Sequence, residues 1–213
     1  MKSIRWLFVL IILVLVLAGI QAYNQSKKIK QSQVSTEIQN QPVASAPVTV
    51  SAADPVRGAA GAASTLVVFS DFECPYCAEV APVLKQLVEQ SQGKVRLVWK
   101  DFPLPSHPNA SGAAVAARCA ANQGKFWEYH DALFQNQAEL GSALYTKLAK
   151  DLQIDESRFS QCLTSGQTNS LVQRGVQEGT GAKIDGTPYL FINGRTYTGG
   201  LSYAELSQAI GVQ

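Results

Sequence analysis

The sequence predicts an α/β domain assembled as a βαβ unit, an all-helical insertion and a closing ββα unit. Three observations carry this prediction. Strand-length apolar runs flank an amphipathic stretch between residues 66 and 99, helical texture then holds from 109 to 180, and strand signals return after Gly181. With 213 residues, 46% hydrophobic and 16% charged, the chain is neither disordered nor highly charged.

The elements follow in order. Leu66-Val67-Val68-Phe69 is short, apolar and rich in β-branched residues, as a buried strand requires. Cys74-Pro75-Tyr76-Cys77 comes next, followed by Val80, Val83, Leu84, Leu87 and Val88 at helical spacing. Proline is tolerated in the first turn of a helix, so Pro75 sets Cys74 at the helix N-terminus. Pro82 falls in the helix interior and predicts a kink. Val95–Trp99 reads as the second strand. The insertion, about residues 108–181, holds an Ala-rich helix over Ala110–Asn122 and an aromatic stripe of Phe126, Trp127, His130, Leu133 and Phe134. Helices over Ser142–Leu152, Glu156–Ser165 and Asn169–Glu178 complete it. Tyr189–Ile192 and Arg195–Thr198 flank an Asn193-Gly194 hairpin turn, and Ser202 with Glu205 forms a capping box for the last helix. Gly199-Gly200 reads as a turn, His130 as a packed core histidine, His107 as a turn residue between two prolines rather than part of an active-site rim, and Lys100-Asp101 as a solvated strand end rather than a source of charge at the site.

Ahead of this domain lie two unlike segments. Residues 1–23 combine Lys2 and Arg5 with 15 residues, Trp6 to Ile20, that lack polar side chains. This is the pattern of an export signal, read here as a signal peptide or a retained membrane anchor. Residues 24–51 are polar and punctuated by Pro42 and Pro47, which reads as a flexible stem. The formal charge of +2 belongs to these segments. Residues 1–51 carry five Lys/Arg against one Glu, while residues 52–213 carry 13 basic and 15 acidic residues. A basic nucleic-acid-binding domain is therefore excluded.

Cysteines three apart at a helix start have a specific use. The first faces the positive end of the helix dipole and its free N–H groups, which favours the thiolate. Cys77, one turn on, is close enough to form a disulfide with it. Stabilising the Cys74 thiolate stabilises the reduced pair and makes its disulfide a better oxidant. A tetrahedral metal site would need a second pair of ligands, and Cys119, Cys162, His107 and His130 stand at no recognised spacing.

Phe72-Glu73-Cys74-Pro75-Tyr76-Cys77, Pro82 and Gly186-Thr187-Pro188-Tyr189 resemble the thioredoxin superfamily. With Asp101-Phe102-Pro103-Leu104, the Phe126–Phe134 stripe and the helical insertion, residues 52–213 look like the DsbA-like thiol:disulfide oxidoreductases. The resemblance implies a thioredoxin fold with an inserted all-helical subdomain. It also implies a cis Thr187-Pro188 peptide beside the active site, where Pro75, Tyr76, Thr187 and Pro188 support the redox pair Cys74 and Cys77. In an oxidising compartment, and as in some such relatives, Cys119 and Cys162 are expected to form a structural disulfide rather than remain buried thiols. The chain departs from the pattern at Val68, where thioredoxins place a buried acid; Asp71 is the nearest substitute.

The expected activity is disulfide donation to reduced client proteins outside the cytoplasm by a monomer that needs no cofactor. Reoxidation is expected from a quinone-linked membrane partner, and contact with the membrane through the N-terminal segment. A disulfide isomerase or reductase on the same fold and a CxxC metal carrier are the rival readings.

Overall fold

The computed structural model describes residues 18–21, 23–25 and 48–212. The predicted leader and stem therefore lie almost wholly outside the described residues. Residues 18–21 and 23–25 are helical, and no described helix is long and apolar enough to cross a membrane.

The folded part starts earlier than residue 52, because Val48 already packs against the core cluster that contains Phe69, Val98 and Phe191. The elements are β1 (Val56–Gly58), β2 (Ser64–Ser70), α1 (Pro75–Gln90), β3 (Val95–Asp101), α2 (Ala110–Ala121), α3 (Phe126–Gln135), α4 (Ser142–Asp151), α5 (Glu156–Ser165), α6 (Asn169–Gly181), β4 (Tyr189–Ile192), β5 (Arg195–Tyr197) and α7 (Tyr203–Ile210). A single 3₁₀ turn, Gln137–Glu139, follows α3.

The five strands lie in the order β1-β3-β2-β4-β5. Strands β2 and β3 run parallel through seven paired positions, and every other neighbour is antiparallel. The pairing lengthens both central strands beyond their apolar runs. It also creates β1, which shows no alternation of its own and is held by the register Val56↔Val98.

Because side chains alternate across a strand, β2 feeds two cores. Leu66 and Val68 join Leu84, Leu87 and Trp99 and the helices of the insertion. Val67 and Phe69 join Val98, Phe102 and Phe191 on the other face. A strand buried on both faces needs an unbroken apolar run, and Leu66–Phe69 supplies it. Helix α1 continues through Pro82. Asn193 and Gly194 both have positive φ, as the tightest hairpin turns demand, and the Ser202/Glu205 capping box is formed.

Helix α6 carries glycine where it crosses the end of β3. A Cβ at Gly175 would collide with the Asp101 carbonyl oxygen, and one at Gly179 with the Phe102 ring. A backbone atom cannot give way as a flexible side chain can. Gly175→Ala is therefore expected to destabilise the domain by about 1–3 kcal/mol, as overpacking does, seen as a lower urea midpoint at unchanged m-value. An unchanged midpoint would refute the close approach.

Lys100 and Asp101, expected as a solvated strand end, are 1% and 0% exposed. Lys100 Nζ donates to Asp54 Oδ2 (2.8 Å), Glu178 Oε2 (2.5 Å) and the Thr49 carbonyl (2.7 Å). Arg118 Nε donates to Asp101 Oδ2 (2.6 Å) and its Nη1 to the Ala53 carbonyl (2.7 Å), while Trp99 Nε1 donates to Asp101 Oδ1 (2.8 Å). Arg174 completes the cluster on Asp54 Oδ1 (2.8 Å). These buried charges survive because each has an opposite charge and further hydrogen bonds. Burial raises the Asp54 carboxyl, but Lys100, the Ser51 N–H and Arg174 more than reverse this and hold it below its ordinary value of 3.8. Its contribution to stability is thus present above pH 3.8 and lost as pH falls through the lowered value.

Candidate active site

The site forms where β2 turns into α1. Cys74 is the N-cap of α1 with an extended backbone (φ −75°, ψ 122°), and Pro75 opens the helix. Its carbonyl accepts from the N–H groups of Cys77 (3.1 Å) and Ala78 (3.2 Å). The first turn holds no acidic side chain, so no carboxylate within it competes with the Cys74 sulfur for the positive helix end. Cys74 and Cys77 are both free thiols here and both buried, while Tyr76 between them is 66% exposed.

Thr187-Pro188 is a cis peptide that lies against the pair. The Cys74 thiol donates to the Thr187 carbonyl at 3.3 Å, and the Thr187 hydroxyl is buried without a partner among the described residues. When Cys74 ionises, the Cys77 thiol donates to it. Burial opposes the charge, but Thr187 and the N–H groups of Cys77 and Tyr76 add to its support, and the Cys74 pKa falls from 9.0 to about 5. Burial, and then the bond to Cys74, push the Cys77 thiol far above its ordinary value. One sulfur is prepared as a thiolate and the other as a thiol.

This asymmetry is directly measurable. The alkylation rate of Cys74 by iodoacetamide is expected to reach its half-maximum near pH 5, with Cys77 unreactive through neutral pH. A half-maximum between pH 8 and 9, the range of an unperturbed thiol, would contradict the stabilisation.

Several supports were not assigned to the site by the sequence reading. Asp71, next to the redox turn, has a fully buried side chain that accepts from the N–H groups of Glu73 (2.7 Å) and Leu104 (2.8 Å) and pairs with His107 Nδ1 (2.7 Å). His107 is therefore tied to the site, not merely a turn residue, and the bond to Asp71 raises its pKa above 6.5. Glu73 accepts from the Asn109 N–H (2.6 Å) and its side-chain amide (3.0 Å), joining the redox turn to the start of α2. Gln137 in the 3₁₀ turn donates to the Phe72 (2.8 Å) and Cys74 (2.9 Å) carbonyls. No periodicity marks Gln137 in the sequence, whereas Glu73 stands directly before Cys74.

The remaining cysteines lie elsewhere. Cys119 on α2 and Cys162 on α5 form a disulfide with a Cα separation of 5.7 Å, 43 residues apart. Closing such a loop stabilises by about 4 kcal/mol in the chain-entropy account. Among the described residues, no group of three or more His, Cys, Asp and Glu side chains could hold a metal ion.

Comparison with known proteins agrees with this architecture. Residues 50–211 match a family described as thioredoxin. Over 158 residues the chain is 39% identical to the Na(+)/H(+) antiporter NhaA 3 of Salinispora tropica, a match covering 74% of this chain and 24% of that protein. The chain thus spans about a quarter of the length of the curated relatives it matches. Among solved structures, oxidised BdbD from Bacillus subtilis superposes with a TM-score of 0.69 at 22% identity, covering 81% of this chain and 97% of that one. DsbA2 of Pseudomonas aeruginosa superposes with a TM-score of 0.62 at 26% identity, covering 76% and 95%.

Proposed function

The chain belongs to the thioredoxin family, and on that premise we propose that it is a DsbA-like thiol:disulfide oxidoreductase acting outside the cytoplasm to introduce disulfide bonds into exported proteins. The observation that carries this reading is the unlike pair at the head of α1, with the Cys74 thiolate favoured and Cys77 kept as a thiol. Likeness to DsbA-type structures supports the chemistry, and the apolar leader at residues 6–20 supports export and a tether to the membrane.

Transfer begins when a client thiolate attacks Cys74 Sγ of the Cys74–Cys77 disulfide. A client–Cys74 bond forms, the Cys74–Cys77 bond breaks, and Cys77 leaves with the electron pair and takes a proton. A second client thiolate then attacks the client sulfur of the mixed disulfide and expels the Cys74 thiolate. The client is oxidised and the protein reduced, with no cofactor. The half-buried backbone beside Pro188 would hold the client as an added strand. A quinone-linked membrane protein would restore the disulfide, and a monomer suffices for every step.

The lowered thiol supports this direction of transfer. Its stabilisation of the reduced form is complete above pH 9 and is lost as pH falls through about 5, so near neutrality the disulfide is the more readily surrendered state. Equilibration with glutathione buffers tests this. An oxidising potential near the DsbA value of about −120 mV is the expected result, and one near the thioredoxin value of about −270 mV would overturn the oxidase in favour of a reductase.

A further inference from the structure

Cys77 is buried and holds its proton tightly, yet it must lose that proton whenever it attacks Cys74 to rebuild the disulfide. The Cys74 thiolate is spent at that moment in the mixed disulfide, so another group has to accept. Behind Cys77 lies a cavity of about 10 Å³, whose walls include Val68, Ser70, Cys77, Val80, Trp99 and His130. That is the least volume that admits one water molecule, and Ser70, the Cys77 thiol and His130 are the polar groups that could bind it there. Apart from the thiol itself, His130 is its only titratable wall. Val68 stands in the same cavity and offers nothing.

His130 is 3% exposed and sits among the rings of Phe72, Trp99, Phe126, Trp127 and Phe134, with centroids 4.7–5.9 Å away. Its one hydrogen bond among the described residues joins Nδ1 to Asp131 Oδ1 at 2.9 Å. Donation to a carboxylate places the proton on Nδ1 and leaves Nε2 as the acceptor. Asp131 Oδ2 is held in turn by Arg57 Nη2 (2.8 Å) and Lys85 Nζ (2.9 Å). Asp131 also lines a surface groove of about 220 Å³ with Ala78, Pro82 and Lys85. The His130–Asp131 pair therefore spans the distance from the cavity under Cys77 to solvent.

We propose that His130, oriented by Asp131, is the base that takes the Cys77 proton through the cavity water during reoxidation, and that Asp131 opens its way to the surface. The proposal rests on the oxidoreductase reading above. In balanced form, Cys77–SH gives its proton by way of the water to His130 Nε2. The Cys77 thiolate then attacks Cys74 Sγ of the mixed disulfide with the oxidant. The Cys74–Cys77 bond forms, and the oxidant's thiolate departs with the electron pair. The groups around the ring act in both directions. Burial lowers the His130 pKa and keeps the ring neutral at pH 7, Asp131 and Asp101 favour the imidazolium once formed, and Arg57 opposes it.

The test uses the full chain in detergent, reduced and mixed with glutathione disulfide, with both steps followed by acid quench and mass spectrometry. His130→Phe keeps an aromatic ring in the box but removes the base. The expected result is a Cys77 resolution step about a hundredfold slower at pH 7, as loss of general base catalysis implies, with the glutathione–Cys74 intermediate accumulating. The rate of that step should climb with pH, while the rate of the first step is unchanged. Resolution at the unmutated rate with an unchanged pH profile would overturn the proposal. Failure of the unmutated protein to form any mixed disulfide would instead refute the oxidoreductase reading itself, and the proposal with it. The unmutated protein gives a second measurement, because the chain has two histidines. The His130 ring resonances should differ between the reduced and disulfide forms, and a ring blind to the state of Cys77 would overturn the proposal even if His130→Phe does not fold.

Discussion

Cys74→Ser is expected to abolish disulfide transfer to a reduced client, with residual activity no higher than that of buffer. Serine has no sulfur to carry the mixed disulfide and no means of ionising near pH 5. Cys77→Ser should behave differently. It keeps the nucleophile at the helix terminus and removes the group that expels a bound thiol, so glutathione or client should remain attached to Cys74. Mass spectrometry distinguishes the two, with an added client mass on Cys77→Ser and none on Cys74→Ser. Client oxidation by Cys74→Ser would move the attacking role to another sulfur. Cys119 and Cys162 are poor substitutes, because they are already bonded to each other and are 0% and 3% exposed.

Asp101→Ala should be the costliest single change to stability. It strips Arg118 of its carboxylate and leaves Trp99 Nε1 without an acceptor, all inside the core. Removing one member of a buried pair typically costs 3–5 kcal/mol, a large share of the 5–15 kcal/mol of a whole domain. Urea denaturation measures the loss. If the penalty comes from the stranded guanidinium, Asp101→Ala with Arg118→Leu should be less damaging than the two single losses added together. A loss below about 1 kcal/mol for Asp101→Ala would show that water reaches Arg118.

What the sequence made legible was local. A proline after Cys74, a capping box eleven residues from the end and an Asn-Gly turn each determine their own backbone, and each stands where the residues placed it. The order of strands and helices followed from apolar patterning within single short segments. The contacts that escaped were those between distant parts of the chain. Lys100 resembled an exposed strand end because its partners Asp54 and Glu178 lie 46 and 78 residues away. His107 resembled a turn because Asp71 is 36 residues off. Strand β1 has too few residues to show a period and exists only because β3 offers it an edge. At the site, the sequence reading named the two sulfurs and the proline that the fold brings together, but not the groups that pin the redox turn, since Gln137 and Asn109 act on it from the insertion.

The buried ion cluster also has a mechanical meaning. Thr49, Ala53 and Asp54 are fastened to Lys100, Arg118 and Arg174, so tension applied at Val48 passes into this clamp. The Lys100 and Arg174 ties pass the load into β3 and α6, which carry no cysteine. A domain pulled from this end would take the strain at its charged girdle, while the sulfurs at the head of α1 keep their alignment.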